Sequence, residues 1–214
     1  LNPPLKKNEE YDASSFSNTI YEFTIKGYTK DMNQWQIDSI GKFFSNRTVM
    51  IDGKPAADVF KKNGAQMTAA DSTSYGFYYK QVKAPVNTDK FAKDTTIYIN
   101  YVGKLLNGLV FDTNIERTAW DHGIYSESRT YGPVKIKWAD TYGGLTMGDD
   151  ASSVITGFAR TLWNMRNLNE EGKYDKGVGI FYSPLGYGYS GSGSSIPGYA
   201  PLIFEIELVE KPEK

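Results

Sequence analysis

Residues 187–209 decide how the last third of the chain folds, and they read Tyr187-Gly-Tyr-Ser-Gly-Ser-Gly-Ser-Ser-Ile-Pro-Gly-Tyr-Ala-Pro-Leu-Ile-Phe-Glu-Ile-Glu-Leu-Val209. A glycine- and serine-rich loop comes first, and from Leu202 to Leu208 apolar residues then alternate with the period of a β-strand. A phosphate-binding glycine loop opens a helix and usually carries a lysine, whereas this loop has no Lys or Arg and leads into a strand. We therefore predict that the loop frames an apolar, aromatic-rimmed pocket.

The composition limits the classes of function that the chain can have. It has 214 residues, of which 40% are hydrophobic and 23% charged, so it can bury a core. Its 24 Lys and Arg nearly balance its 25 Asp and Glu, so we expect no nucleic-acid partner and no anionic membrane surface. Cysteine is absent and there is one histidine, which excludes disulfides and thiolate sites and leaves zinc sites and catalytic triads poorly supported.

The first eighteen residues, 1–18, are polar and include Pro3-Pro4, so we predict a flexible linker. No apolar run approaches the ~18 residues of a membrane span, and no secretory signal opens the sequence. Because the sequence starts at Leu1, we interpret the linker as a tether left after processing or trimming, which is compatible with export.

Residues 19–70 are predicted to form a small, mainly helical N-terminal arm. Between Asp31 and Asn46 apolar residues recur at helical spacing, with Asp31 as the N-cap and Asn46 as the stop. A second short helix is predicted over Pro55–Lys62, closed by Asn63-Gly64.

Two features of this arm stay open in the sequence. Residues 20–25 fit either a short strand or the first turn of a helix. An apolar stripe with Trp35, Ile40 and Phe44 belongs either to a packed helix or to a surface that pairs two copies of the chain. A homodimer through the arm is therefore one hypothesis.

Strand patterns dominate the region after this arm. Tyr75–Val82 is aromatic and strand-like, and Thr95–Val102 alternates strongly. Asn107-Gly108 predicts a type I′ hairpin turn before the strand residues Leu109–Phe111. The long stretch Asn114–Asp150 is rich in turn residues and predicts an insertion or several short strands.

The last part of the chain completes an α+β pattern. Ser152-Ser153 are predicted to cap a short amphipathic helix, and strands come next at Val178–Tyr182 and Leu202–Val209. A sheet must bury one face against something, and one helix is available. We therefore predict that residues 71–214 form one α+β domain with an antiparallel sheet packed on that helix.

Five segments, in this order, are similar to FKBP-type peptidyl-prolyl isomerases of bacteria with an N-terminal extension. They are Tyr98–Leu105, Asn107–Asp112, Val154–Phe158, Tyr182–Gly188 and Ile196–Leu208. The resemblance covers about residues 74 to 210 and implies an antiparallel sheet curled around a short helix.

The resemblance also implies a site without cofactor or metal. Its implied catalytic residues are Asp112, Tyr187, Tyr101 and Phe204. Its implied substrate-binding residues are Phe111, Val154, Ile155, Phe158 as the floor, and Ile196. In the family, the backbone N–H at the Ile155 position and the hydroxyl at the Tyr187 position hydrogen-bond the carbonyls of the ligand. The implied substrates are proline-containing polypeptides, and the implied ligands include macrolides.

Two departures from the better-known members support a second hypothesis. The floor there is Trp whereas here it is Phe158, and Ser192 and Ser195 stand where those members often carry larger side chains. The alternative is an FKBP-like binding module or chaperone with little or no isomerase activity. Similar bacterial proteins with helical arms are often exported or lipid-anchored in the cell envelope, and we expect the same here.

Overall fold

The computed structural model describes residues 22, 24, 28–83, 89–166 and 175–213. The predicted linker at residues 1–18 and most of the undecided segment at 20–25 lie outside the described residues. The contacts group Asp31–Lys214 into one compact unit, which contains every helix and strand of the described ranges. No helix in those ranges is long and apolar enough to cross a membrane.

The secondary structure is dominated by strands. Within the described residues the strands, in chain order, are β1 (Met50–Ile51), β2 (Lys54–Pro55), β3 (Lys61–Lys62), β4 (Ala65–Gln66), β5 (Phe77–Lys83), β6 (Thr96–Leu105), β7 (Val110–Thr113), β8 (Val134–Lys137), β9 (Thr146–Met147), β10 (Ser152–Ser153), β11 (Lys176–Phe181) and β12 (Leu202–Val209). The α-helices there are α1 (Met32–Phe43), α2 (Ala56–Val59), α3 (Glu116–Asp121) and α4 (Thr156–Trp163), and single 3₁₀ turns lie at Ala69–Asp71, Tyr142–Gly144 and Ser183–Leu185.

One eight-stranded sheet of antiparallel pairs forms the centre, in the order β10-β9-β8-β6-β12-β11-β5, with β7 also paired to β6. Strand β12 lies between β6 and β11, and its register places Ile206 opposite Tyr101 and Phe204 opposite Gly103. The predicted fold class, an antiparallel sheet with one short amphipathic helix, is confirmed. The register also brings Tyr101 and Phe204 together at the middle of the sheet.

Helix α4 covers the inner face of this sheet. Its Phe158 and Leu162 are buried in a core with Ile206 and Leu208 of β12. The helix approaches β11 so closely at Gly179 that an added Cβ atom would lie 1.8 Å from Oγ1 of Thr161. A glycine is therefore required at this point of the strand.

The predicted cap of α4 is wrong. Ser152 and Ser153 form β10 and pair with Met147 and Thr146 of β9. Ile155 is the N-cap residue and makes no side-chain capping bond. Two serines before an apolar segment can either cap a helix or pair in a sheet, and the local sequence is the same in both cases. The pairing with Met147 and Thr146 of β9 decides for the sheet here.

The outer face of the sheet is covered by residues 31–68. Ile40 of α1 and Phe44, the C-cap residue of that helix, are fully buried in a cluster with Tyr78 and Ile203 of the sheet. The rings of Phe44 and Tyr78 lie 5.2 Å apart. Strand β12 is consequently buried on both faces. The apolar stripe that suggested a dimer is used inside the chain at Ile40 and Phe44, while Trp35 is 50% exposed.

Polar groups fasten this outer layer to the sheet. Lys104 of β6 and Glu205 of β12 form an ion pair with side chains 13% and 7% exposed, and Glu205 also accepts a hydrogen bond from the backbone N–H of Asp52 at 2.8 Å. Lys104 Nζ donates to the carbonyl of Met50 at 3.0 Å, and Lys176 pairs with Asp52 at 2.6 Å. These ion pairs and hydrogen bonds attach the β1–β2 hairpin to strands β6, β11 and β12 of the sheet.

Two predicted turns differ from those observed. The helix predicted over Pro55–Lys62 ends at Val59, and Asn63-Gly64, with φ of 51° and 80°, turn the β3–β4 hairpin instead. The hairpin predicted at Asn107-Gly108 is confirmed, since β6 and β7 pair on either side of it. Of these two turn residues, Gly108 has a positive φ of 89° and Asn107 does not have a positive φ. A type I′ turn needs two positive φ values, so that predicted turn type is wrong.

The stretch 114–150 contains α3, β8 and β9, and its first part is a closed loop over residues 115–131. Asn114 and Gly132 close the loop with two hydrogen bonds, from Gly132 N to Asn114 O at 2.9 Å and from Asn114 Nδ2 to Gly132 O at 2.8 Å. The Asn114 Oδ1 atom also accepts from Tyr101 N at 2.7 Å. The base of the loop is therefore fixed to β6.

Candidate active site

A pocket of about 120 Å³ opens at the sheet between β6, β12, the start of α4 and the glycine-serine loop. Its lining residues are Tyr101, Asp112, Met147, Ser153, Val154, Ile155, Phe158, Tyr187 and Phe204. All four predicted catalytic residues and three of the five predicted binding residues lie there. Met147 and Ser153 of the β9–β10 pair complete the lining and were missed, because the sequence carries no motif that places this strand pair beside the pocket.

Three packed aromatic rings form the interior of the pocket, with Phe158 at their centre. The rings of Phe158 and Phe204 lie 5.0 Å apart at 88°, and those of Tyr101 and Phe158 lie 5.6 Å apart at 87°. All three side chains are at most 5% exposed. Edge-to-face contacts of this kind fix ring orientations, so the pocket has rigid aromatic walls.

The remaining two predicted binding residues, Phe111 and Ile196, lie beside the pocket and do not line it. The Phe111 ring packs edge-on against Phe204 at 5.6 Å, and Ile196 is 6% exposed within the same core. An added Cβ atom at Gly103 would lie 2.7 Å from the Phe111 ring, so glycine at this position of β6 lets Phe111 reach Phe204. Both residues support the wall from outside the cavity.

A network of polar side chains occupies the rim. The Tyr101 hydroxyl donates to Asp112 Oδ2 at 2.8 Å, and Arg129 donates from Nη1 to Asp112 Oδ1 at 2.5 Å and from Nη2 to the Tyr101 oxygen at 3.0 Å. Arg129 comes from the closed loop 115–131, and no sequence pattern pointed to it. The rim thus holds a carboxylate whose charge is matched by an arginine.

The two tyrosine hydroxyls at the site are poor acids. Burial, reinforced by the nearby Asp112 carboxylate, raises the pKa of Tyr101 well above its usual value. Burial and Asp112 also raise the pKa of Tyr187. Both groups therefore keep their protons at neutral pH, and Tyr187 can donate a hydrogen bond to a bound carbonyl.

The backbone around Tyr187 is held from both sides. Gly188 N donates to Ser183 O at 2.8 Å, and Tyr199 N donates to Gly188 O at 2.9 Å. Ser183 N in turn donates to Oε1 of the buried Gln36 at 2.7 Å. Tyr187 itself is 37% exposed, so its side chain faces solvent at the mouth of the pocket. Gln36 was missed because it lies in the distant helix α1.

Helix α4 points its first turn at the pocket. Ile155 is its N-cap residue, and Val154 and Ile155 both line the cavity. The first backbone N–H groups of a helix have no partner within the helix. The end of α4 can therefore supply a backbone donor to a ligand, and the donor role that the family resemblance implies at Ile155 stays a prediction.

The serines of the loop do not line the pocket. Ser192 pairs with Ile196 through two backbone hydrogen bonds, of 2.9 and 3.1 Å. Ser194 and Ser195 line a neighbouring groove instead. Of the two serines that stand where better-known members often carry larger side chains, Ser195 therefore lines the groove, and neither lines the pocket.

No protein-family model matches the chain. Curated relatives do: a probable FKBP-type peptidyl-prolyl cis-trans isomerase of Haemophilus influenzae is 26% identical over 157 residues, covering 73% of this chain and 52% of the relative. A peptidyl-prolyl cis-trans isomerase of Arabidopsis thaliana, FKBP15-1, is 32% identical over 134 residues, covering 63% and 66%. The chain belongs to the FKBP family.

FK506-binding protein 2 of Dictyostelium discoideum is a further relative of this FKBP chain, with 27% identity over 141 residues that cover 65% of this chain and 80% of the relative. The chain spans about half the length of the Haemophilus relative.

Proposed function

We propose that this chain is a peptidyl-prolyl cis-trans isomerase that assists protein folding by rotating X-Pro bonds in its aromatic pocket. The observation that carries the proposal is the three-ring pocket with Asp112 and Tyr187 at its rim. A proline ring bound in this cavity would lie against the three aromatic rings, with Asp112 and Tyr187 beside it. The family membership supports the same activity.

The reaction requires a shaped environment more than a reactive group. Rotation about an X-Pro bond crosses a barrier of roughly 18–20 kcal/mol because amide resonance is lost in the twisted state, and no covalent bond forms. Aromatic walls hold the proline ring and exclude water, which favours the less dipolar twisted amide over the planar one. Each ~1.4 kcal/mol of such preference accelerates rotation about tenfold.

The polar residues divide into orienting and electrostatic roles in this proposal. Tyr187, with the backbone N–H at Ile155, would hold the carbonyls of the polypeptide on either side of the bond. Asp112 would act on the twisted carbonyl through its field and through Tyr101, whose hydroxyl donates to it. Arg129 would fix the Asp112 carboxylate in that position.

A peptide isomerisation assay tests the function. Short X-Pro peptides, followed by protease coupling or NMR exchange, should isomerise faster with the chain than in buffer. Tyr187→Phe should lower kcat/KM about tenfold, the value of one hydrogen bond to the bound peptide. Asp112→Ala and the wall variant Phe204→Ala should lower it as well.

The matched control is Tyr189→Phe, which removes a hydroxyl from a 76% exposed tyrosine of the same loop and should leave the rate unchanged. A wild-type rate equal to that in buffer would sink the proposal. Suppression of client aggregation without isomerisation would instead favour the alternative of a binding module or chaperone. One of the two departures behind that alternative, the serines at 192 and 195, does not change the lining of the pocket.

Four finer statements belong to the same proposal. Macrolides should compete for the pocket, as the name of the Dictyostelium relative suggests for that protein. Residues 71–214 should carry the catalytic activity. Location in the periplasm or cell envelope, with a lipid anchor, rests on the resemblance to exported bacterial members. A homodimer through residues 19–70 would have to use a surface other than Ile40 and Phe44, which are buried within the chain.

A further inference from the structure

A second, larger cavity of about 500 Å³ lies beside the pocket, and we name it the hairpin groove. Its lining residues are Leu105, Leu109, Val110, His122, Ile124, Ser194, Ser195 and Pro197. They come from the β6–β7 hairpin, the end of the α3 segment and the glycine-serine loop. The groove is thus built where the loop 115–131 meets the glycine-serine loop.

The hairpin groove and the pocket adjoin each other. Ser195 and Pro197, which line the groove, flank Ile196, which is buried in the core that forms the pocket. Val110 lines the groove and lies two positions before Asp112, which lines the pocket, in strand β7. Two residues of a strand span about 7 Å. A chain that leaves the pocket therefore reaches the groove within a few residues.

The lining selects apolar side chains. Five of the lining residues are Leu, Val, Ile or Pro, and among the described residues that line the groove none is Lys, Arg, Asp or Glu. Leu109 is 50% exposed, so apolar surface stands open to water there. Covering such surface with another apolar group is favourable, and the three polar residues at the rim leave room for backbone hydrogen bonds.

Both sides of the groove are held by backbone hydrogen bonds. Leu105 N donates to Leu109 O at 2.9 Å on the hairpin side, and Ile124 N donates to Ala119 O at 2.9 Å on the inserted loop. On the glycine-serine loop, Ile196 N donates to Ser192 O at 3.1 Å. A groove that is formed before binding loses little conformational entropy when a peptide enters it.

We propose that the hairpin groove is a subsite for apolar side chains of the same polypeptide whose X-Pro bond occupies the pocket. This proposal rests on the proposed isomerase function, and it adds a preference for unfolded polypeptides that carry an apolar residue near the proline. An extended chain advances about 3.4 Å per residue, so the side chains that reach the groove lie about two to four residues from the proline.

Kinetics on matched peptides test this subsite. Peptides of about ten residues would carry one central X-Pro bond, with either Leu or Ala placed two to four residues away on one side or the other. The wild-type chain should show kcat/KM about fivefold higher for the best Leu peptide than for its Ala counterpart. Leu109→Ser should bring that ratio close to one while leaving the Ala peptides unchanged.

The control variant is Met50→Ser, which removes a 45% exposed apolar side chain from the separate β1–β2 hairpin. It should keep the wild-type ratio. An unchanged ratio in Leu109→Ser, with activity on all peptides intact, would overturn the subsite and leave the isomerase function standing. A dimer in sedimentation that Leu109→Ser abolishes would also overturn it, because a second copy would then fill the groove.

The single histidine of the sequence gives a readout that does not depend on catalysis. His122 lines the groove. Because it is the one histidine in the sequence, the imidazole proton signals in an NMR spectrum can be assigned to it without further variants. Titration with the Leu peptide should shift them, and the Ala peptide or the Leu109→Ser variant should shift them much less. If the chain accelerated the isomerisation of no peptide, this titration would still show whether the groove binds apolar side chains. Absence of a shift would overturn the proposed subsite.

Discussion

The side chain of Gln36 accepts a hydrogen bond from the backbone N–H of Ser183 at 2.7 Å, and Gln36 is completely buried. Gln36 belongs to helix α1 on the outer face of the sheet, whereas Ser183 opens the 3₁₀ turn that leads to Tyr187. One buried bond therefore joins the N-terminal layer to the turn that leads to Tyr187 at the mouth of the pocket.

Gln36→Ala should weaken substrate binding more than catalysis. It leaves the Ser183 N–H buried without its partner, so the turn before Tyr187 loosens and KM rises about fivefold while kcat changes little. Gln36→Glu, which keeps an acceptor oxygen, should recover part of the wild-type KM. Gln34→Ala on the exposed side of the same helix is the control, and an equal effect of both Ala variants would argue against the link.

Arg129→Met should lower kcat/KM about fivefold. The lost bonds to Asp112 and Tyr101 are charge-assisted, but the ion pair is partly exposed, with side chains 39% and 35% accessible, which limits its value to roughly 1 kcal/mol. Steady-state kinetics on one X-Pro peptide measure the effect. Arg117→Met in the same loop removes an exposed partner of Asp121 and should have no effect, so a similar loss there would refute the role of Arg129.

Glu205→Leu should destabilise the fold by about 3 kcal/mol, because it leaves the charge of Lys104 buried without its partner. The double variant Lys104→Met with Glu205→Leu should recover most of that loss, since an apolar pair of similar size needs no desolvated charge. Urea unfolding of the three proteins gives the comparison. Additive losses in the double variant would show that the ion pair is not the cause.

The stability that Tyr78 provides should disappear at alkaline pH. Burial, followed by repulsion from Asp38 and Asp71, raises the pKa of Tyr78 to about 12, and its hydroxyl donates to Ala69 O at 2.8 Å. A raised pKa in the folded state means a contribution that is complete below the unfolded pKa of about 10 and is lost as pH rises toward the folded value.

The experiment compares urea unfolding of wild type and Tyr78→Phe at pH 8 and near pH 11. The wild type should be the more stable protein at pH 8, and its advantage should shrink at the higher pH. An advantage that grew with pH would contradict the assignment of the shift to Tyr78.

Gly179→Ala should destabilise the fold by about 2 kcal/mol through overpacking, since the new methyl group would overlap the Thr161 hydroxyl of α4. Thr161→Ser in the same background should restore little, because the clash is with Oγ1 itself. Thr161→Ala removes that atom and should restore more. Equal unfolding midpoints for wild type and Gly179→Ala would show that the helix shifts freely.

The sheet and most of the pocket could be predicted because their signals are local. The period-2 pattern of Leu202–Val209 matches β12 residue for residue, and the resemblance named the pocket residues from short motifs. Arg129 and Gln36 could not be predicted. They reach the site through loop closure and through packing across the sheet, and neither leaves a periodic or spaced signal in the sequence.

The errors arose where one local pattern serves two structures. Asn63-Gly64 closes a helix or turns a hairpin equally well, and the pairing of Lys61-Lys62 with Ala65-Gln66 decides between them. No pattern in the sequence indicated that Ile203 of β12 is covered on the outer face of the sheet. That cover is residues 31–68, so a chain beginning at residue 71 would expose a buried sheet face to water.

Two hydrogen bonds join Asn114 to Gly132 and hold the ends of the loop 115–131 together, so the loop can be replaced as a unit. Because the ends of the loop are already fixed to each other, its length adds to the cost of closure only logarithmically. Loops of other lengths and sequences can therefore be grafted between the same two residues while the sheet stays as it is, and a graft that keeps an arginine at the place of Arg129 also keeps the bond to Asp112. The part of the loop that lines the hairpin groove, at His122 and Ile124, can thus be varied separately from the part that holds Asp112.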